Sequence, residues 1–357
     1  MPEPRFTIDV IAGDGIGQEV VPAARRCVDA AVAAAGVTLT WRERDWGSDH
    51  YRRTGRMMPV DALETMASAD AIMLGAVGEP GIPDDVTLWG LLIPIRRTFD
   101  QYVNLRPVRL LPGTTSPLRG IDELDLVIVR ENVEGEYSSV GGRFDRAGGD
   151  TVAVQESLFS RSGTARVARY AAQLAASRRG TLVSATKSNG IIHTMPFWDE
   201  VVAQTVAETA PKVALRSVLI DALAAELVLH PHASDVIVAS NLFGDILSDL
   251  AAALAGSIGV APSASLNPER AHPSLFEPVH GSAPDIAGRG IANPVAQIWS
   301  ASMMLSHLGL DRPAAALYDA MVRTMARGIL TGDLGGDAST DLFADAVVGD
   351  LDGREHG

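Results

Sequence analysis

The chain has 357 residues, which suits two domains or one large α/β unit with an ample core. Hydrophobic residues make up 46% and charged residues 21%, a globular balance, and no run of about 18 apolar residues is present to span a membrane. With 44 acids against 30 Lys and Arg the net charge is −14, which argues against a nucleic-acid partner and means that an anionic ligand needs local arginines or a cation to reverse the field.

The opening MPEPRFTIDV has acids and prolines where a secretory signal has a basic region and an apolar stretch, so a cytoplasmic protein is expected. FTIDVIAG reads as a strand, followed by a helix from about residue 15 to 35. Cys27, the one cysteine, falls in that amphipathic helix, and a structural place for it is expected. The turn between them, AGDGIGQE, gives G-x-G-x-G rather than G-x-G-x-x-G, because Gln18 holds the last place. No clear strand ending in a ribose-binding acid follows about 20 residues on, so a Rossmann site is rejected in favour of a tight strand-to-helix turn. DAIMLGAV near residue 70, DLVIVREN near 125, TLVSAT at 181 and DVIVAS at 235 continue the alternation of strands with Ala-rich helices. The class is α/β with a mainly parallel sheet.

Four arginines, Arg96, Arg97, Arg106 and Arg109, cluster in IRRTFDQYVNLRPVRL, and Arg130 leaves a Val/Ile strand at the edge where α/β ligands gather. Residues 136–160 contain two β-leaning segments around a Gly-rich turn with no helix between them, an antiparallel hairpin of the kind that serves an interface. Lys187 directly follows TLVSAT and is a candidate base, Tyr137 a candidate proton donor, and His193 reads as structural. In SNLFGDILSDL, Asp245 and Asp249 are four apart in the first turns of the helix after DVIVAS. The helix dipole accounts well for Asp245 and poorly for Asp249, whereas a hard cation such as Mg²⁺ or Mn²⁺ accounts for both. SLFEPVHGSAPDIAGRGIANP, residues 274–294, reads as an ordered functional loop of about 20 residues, and the terminal GREHG as a loose end.

These motifs, HGSAPDIAGRGIANP and SNLFGDILSDL above all, resemble the β-decarboxylating dehydrogenases, the family of isopropylmalate and isocitrate dehydrogenases, over nearly the whole chain. The resemblance implies a two-domain isopropylmalate dehydrogenase-like fold. A cofactor domain of residues 1–100 and 258–357 would flank a substrate, metal and dimerisation domain of residues 101–257, with the hairpin as an intersubunit arm. It implies a homodimer with shared sites. Asp245 and Asp249 would bind Mg²⁺ or Mn²⁺ with Asp221 of the partner subunit; Lys187, also across the dimer, would assist removal of the hydroxyl proton, and Tyr137 would protonate the product enol. Arg96, Arg106 and Arg130 would clamp the carboxylate lost as CO₂. Glu277, His280, Gly281, Ser282, Ala283, Asp285, Ile286 and Asn293 would form an NAD site, Asp285 accepting the ribose hydroxyls and repelling a 2′-phosphate. Activation by a monovalent cation such as K⁺ is implied by the same kinship.

Within the family, WGSDHYRRTGRMMP, LWGLLIPIRR and KSNGIIHTMPFWDE look most like members acting on D-malate and tartrate. Bulky Trp89, with one extra residue in the loop before Arg96, supports a small substituent on the 2-hydroxy diacid. The nearest alternative is a 3-isopropylmalate dehydrogenase. A non-catalytic regulatory subunit is the alternative from another class, and an unrelated metal-dependent phosphate enzyme would leave the arginines and the Asp285 loop unexplained.

Overall fold

In the computed structural model, which describes residues 5–353, the β-branched runs form strands between Ala-rich helices. The strands are β1 Arg5–Gly13, β2 Thr38–Glu43, β3 Ala71–Ala76, β4 Val103–Arg109, β5 Asp125–Glu131, β6 Gly141–Asp145, β7 Thr151–Gln155, β8 Thr181–Thr186, β9 Ala214–Leu219, β10 Val236–Ala239, β11 Pro262–Leu266 and β12 Ser274–Pro278. Two compact units result. The first gathers Met1–Gln101, Arg109–Glu123 and Ala252–Gly357, the second Tyr102–Val108 and Leu124–Ala251. Residues 101, 109–123 and 252–257 thus group with the first unit, where the sequence reading gave them to the second. Of the terminal GREHG, residues 354–357 lie outside the described residues.

In the first unit the strand order is β2-β1-β3-β12-β11. β1 pairs in parallel with β2 and β3, and β12 in parallel with β3 and antiparallel with β11. β3, AIMLGA, is buried along its length, as a strand covered on both faces must be. The helix Gly17–Ala33 turns Val20, Ala24, Cys27, Val28 and Ala31 inward at three- and four-residue spacing. Burial pushes the Cys27 thiol up to about 12, which keeps it protonated and unreactive. β2 corrects one premise of the sequence reading: a strand ending in an acid, Glu43, does follow the first helix, parallel to β1. It lies beyond the spacing a ribose ligand needs, and Glu43 is paired with Arg25. The stretch before Arg96 is also not a loop. Asp84–Thr87, a π-helical turn Leu88–Leu92 and Ile93–Thr98 run on as helix, and a π turn is how a helix absorbs one inserted residue.

In the second unit β5, β10, β8 and β9 are successive parallel strands, with β4 beyond β5. Arg178 ties the starts of two of them together, donating to Asp125 and to buried Asp235 at 2.8 Å each. Residues 136–160 do form an antiparallel hairpin, β6 with β7, in register from Gly141↔Gln155 to Asp145↔Thr151. No helix among the described residues is long and apolar enough to cross a membrane.

Candidate active site

The second unit brings three of the singled-out side chains onto one carboxylate, that of Asp245. Arg130, at the end of β5, ion-pairs with Asp245 on the helix Asn241–Leu254. Arg106, on β4, approaches the same oxygen at 3.3 Å and Asp249 at 3.6 Å. The Tyr137 hydroxyl donates to the other Asp245 oxygen at 2.8 Å. Both guanidinium groups are buried, so their charge acts in a medium where it is weakly screened. Gly244 explains itself here: a Cβ on it would come within 2.6 Å of the Arg130 Cβ, so the helix tolerates a glycine to let the arginine lie against it.

Burial pushes the Tyr137 hydroxyl up to about 12, with the Asp245 charge and hydrogen bond adding to it and Arg130 and Arg106 opposing. The phenol is therefore protonated throughout the neutral range, the state a proton donor needs. Partial burial likewise raises the Asp249 carboxyl, against Arg106, and Asp245 raises it further. The helix dipole does not account for these acids. Asp245 is the fifth residue of its helix and Asp249 the ninth, and the first turn holds no acid.

Lys187 and Asp221 pair with each other, Nζ to Oδ1 at 2.6 Å. That hydrogen bond holds the Asp221 carboxyl below its ordinary range. Among the described residues no three His, Cys, Asp or Glu side chains of one chain converge as a metal cage. His193 is exposed at the start of the helix Thr194–Thr209 and makes no side-chain cap, so the structural part expected of it is not observed.

In the first unit Arg96 donates to Glu277 at 2.8 Å, both buried, and the Arg96 Nε is buried with no hydrogen-bond partner among the described residues. The loop read over 274–294 begins as strand: Ser274–Pro278 is β12, and only the part from Val279 onward is loop. There His280 bonds the Gly281 carbonyl at 2.9 Å through Nδ1, while its Nε2 is buried and unpartnered; burial lowers the pKa of the ring. Ser282 is buried, Ala283 adopts a positive φ of 41°, Asp285 is exposed, and Ile286 packs on Ile16 and Val20. Asn293 donates to Asp333 at 3.0 Å. Trp89, 38% exposed on the π turn, carries the Arg97 guanidinium 5.0 Å over its ring, and Gly90 beside it abuts Met57.

Three supporting residues escaped the sequence reading. Asn241 accepts from Arg130 Nε and Nη2 at 3.1 and 2.7 Å and donates to the Glu134 carbonyl at 3.0 Å, which settles both the amide orientation and the aim of the arginine. Glu136 caps the same helix, accepting from Ser240 Oγ and Leu242 N at 2.7 and 3.0 Å. Glu131, next to Arg130, accepts the Val133 and Glu134 amides, and burial pushes its carboxyl up to about 7. The Ser-Asn start of the helix and the acids of ENVEGEY were the available signals.

A folded-state pKa of about 7 against an unfolded value near 4.5 means that folding binds a proton at Glu131. Its contribution to stability is full below pH ~4.5 and is lost as pH rises towards 7. Glu131→Gln removes that titration, so the melting temperature of the variant relative to wild type should climb between pH 4.5 and 7. Calorimetric melts across that range test it, and a pH-independent difference would sink it.

The sequence pattern of the isocitrate/isopropylmalate dehydrogenase family matches residues 7–347. The chain belongs to that family and is a decarboxylating hydroxyacid dehydrogenase. It is 51% identical over 350 residues to a D-malate dehydrogenase [decarboxylating] of Escherichia coli (strain K12), covering 95% of this chain and 97% of that one. To a tartrate dehydrogenase/decarboxylase of Pseudomonas putida it is 49% identical over 358 residues, covering 97% and 98%. Among solved structures, isocitrate dehydrogenase from Methylococcus capsulatus superposes with a TM-score of 0.88 at 31% identity, covering 98% of this chain and 100% of that one.

Proposed function

We propose that the protein is a cytoplasmic, homodimeric, NAD-dependent enzyme that oxidatively decarboxylates a small 2-hydroxy diacid, D-malate to pyruvate and CO₂, or acts on tartrate. The observation that carries this reading is the convergence of Arg106, Arg130 and the Tyr137 hydroxyl on Asp245, with Asp249 one turn along. It is supported by the names of the D-malate and tartrate relatives.

The donor set fits a hard divalent cation. Two aspartate carboxylates on one helix face are the one or two carboxylates that Mg²⁺ or Mn²⁺ takes alongside water and substrate oxygens, and Asp221 of the partner subunit would be the third. The Asp285 loop fits a dinucleotide: it carries an exposed carboxylate, Asp285, five residues after His280, whose buried Nε2 has no hydrogen-bond partner among the described residues. Glu277, Gly281, Ser282, Ala283, Ile286 and Asn293 complete this site, and Asp285 disfavours a 2′-phosphate, so NAD is the cofactor. When bound, the cation would supply Lewis-acid polarisation to the substrate hydroxyl and the ketone formed from it, and NAD would supply the hydride acceptor. K⁺ as an activating monovalent cation belongs to the same reading.

The chain's own residues then act on protons and charge. Lys187 Nζ of the partner subunit helps remove the 2-hydroxyl proton. The Arg106 and Arg130 forks hold the leaving carboxylate, with Arg96 as the third arginine of the set, and their buried charge orients it until the bond to it breaks. The Tyr137 hydroxyl, held protonated, delivers its proton to the enol carbon that remains. Trp89 limits the substituent to hydrogen or hydroxyl. The exposed Val140, Phe144, Val154 and Leu158 of the hairpin suit an arm that pairs across a dimer, since a lone two-stranded ribbon is marginal in water.

The test is NADH production with Mn²⁺ and NAD, offering D-malate, meso-tartrate, L-tartrate and 3-isopropylmalate side by side. Preference for D-malate or a tartrate is expected. Preference for 3-isopropylmalate would overturn the reading of Trp89. Silence on all four would favour the non-catalytic subunit, against which stands the presence of Tyr137, Lys187, Asp221, Asp245 and Asp249.

A further inference from the structure

The glycine turn AGDGIGQE is left without a part in the chemistry, yet it is tied to the rest of its unit at several points. Asp14, buried, accepts the Ser48 amide and hydroxyl at 2.7 Å each and the Gly78 amide at 2.8 Å. Gly15 has a φ of +52°, and a Cβ on it would stand 2.0 Å from the Ser282 carbonyl oxygen. The next amide, Ile16 N, donates to that same oxygen at 2.9 Å. One turn further, Glu19 Oε1 accepts the Gly288 amide at 2.6 Å, and its Oε2 is buried without a partner. Ile16 and Val20 pack against Ala283, Ile286 and Ala287 between these two anchors.

We infer that this turn is the seat of the 282–288 loop, and that Glu19 is a positioning residue for the dinucleotide through that loop. The glycines do not cradle a phosphate. They let the turn close onto Ser282 while the carboxylate one helical turn later fixes Gly288, so Asp285 and Ile286 are held from both sides. Ala283 adopts its left-handed backbone within this span, a conformation that an alanine keeps only where its surroundings over-determine it. The inference rests on the proposed NAD site, whose adenosine half the loop would meet.

Direct titration of NAD into the metal-loaded protein by calorimetry, with kinetics alongside, tests it on four variants. Glu19→Ala and Glu19→Asp, the second withdrawing the carboxylate by one methylene, should each weaken NAD binding about tenfold, the loss of one charge-assisted hydrogen bond. The KM for NAD should rise in step, while kcat and the KM for the diacid stay within about twofold, as for binding lost equally from ground and transition states. Glu19→Gln, whose amide oxygen still accepts from Gly288, should restore affinity to within about threefold. Asp285→Ala separates the two readings. If it weakens NAD binding while Glu19→Ala and Glu19→Asp bind as wild type, the loop-seat inference is overturned; if it leaves binding unchanged, the cofactor reading falls and the inference with it.

Discussion

Asp245→Asn is expected to abolish NADH formation from D-malate, a loss on the order of 10³-fold or more, because it neutralises a carboxylate proposed to carry several kcal/mol of transition-state stabilisation through the cation. The substitution is nearly isosteric, so the arginines stay in place and the chemistry is isolated from the packing. Its second consequence concerns Tyr137. In the wild type the Asp245 charge and hydrogen bond reinforce the effect of burial and hold the hydroxyl near 12, against Arg130 and Arg106. With the charge removed, the two guanidinium groups oppose burial alone, and the pKa of the phenol must fall. Ultraviolet titration of tyrosinate, compared with a Tyr137→Phe control, reads this shift without any turnover. Two buried guanidinium groups left with less counter-charge should also cost about 1–3 kcal/mol of stability, with gel filtration unchanged. Normal turnover in Asp245→Asn would remove the metal from the assignment.

What could be read in the sequence follows the physics of each segment. Strands buried on both faces, AIMLGA and VIVA, stand out as continuous apolar runs and were placed within a residue or two. β2, TLTWRE, was missed because it carries its contacts through polar groups: Arg42 reaches buried Asp9 of β1, as does Arg44 just beyond the strand. The π turn at Leu88–Leu92 has the composition of any α-helix, and only its hydrogen bonding distinguishes it. The hairpin was legible from its glycines. In the site, Arg130 and Lys187 stand out where they leave strands and Asp245 by its one-turn spacing to Asp249, whereas the roles proposed for them rest on family resemblance. Asn241 and Glu136 bind partners 104 to 111 residues away, a relation no local pattern encodes. The glycine turn shows the same limit, since Ser282 and Gly288, the groups it closes on, lie far along the chain.

Lys187→Ala should lower kcat for D-malate by about 10²- to 10⁴-fold, the usual contribution of a positioned proton acceptor, while the KM for the diacid changes little. Lys187 follows β8 directly, so a rigid strand end fixes its Cα, and its Nζ donates to Asp221 at 2.6 Å. Because that bond is the largest cause of the lowered Asp221 pKa, its removal returns the carboxyl towards the ordinary range. The sign is definite. A ligand carboxylate must be ionised to hold a cation, so Mn²⁺ affinity in the variant should decline at a higher pH than in the wild type as the solution is acidified. That shift follows from the ion pair alone; what separates a proton acceptor from a purely structural lysine is the further expected result, partial recovery of turnover on adding a small primary amine such as methylamine to fill the space left by the side chain. Recovery that rises with the concentration of unprotonated amine assigns the proton transfer to Nζ. Full activity without any amine would show that another group takes the hydroxyl proton, and the Lys187–Asp221 pair would then serve only to orient the carboxylate.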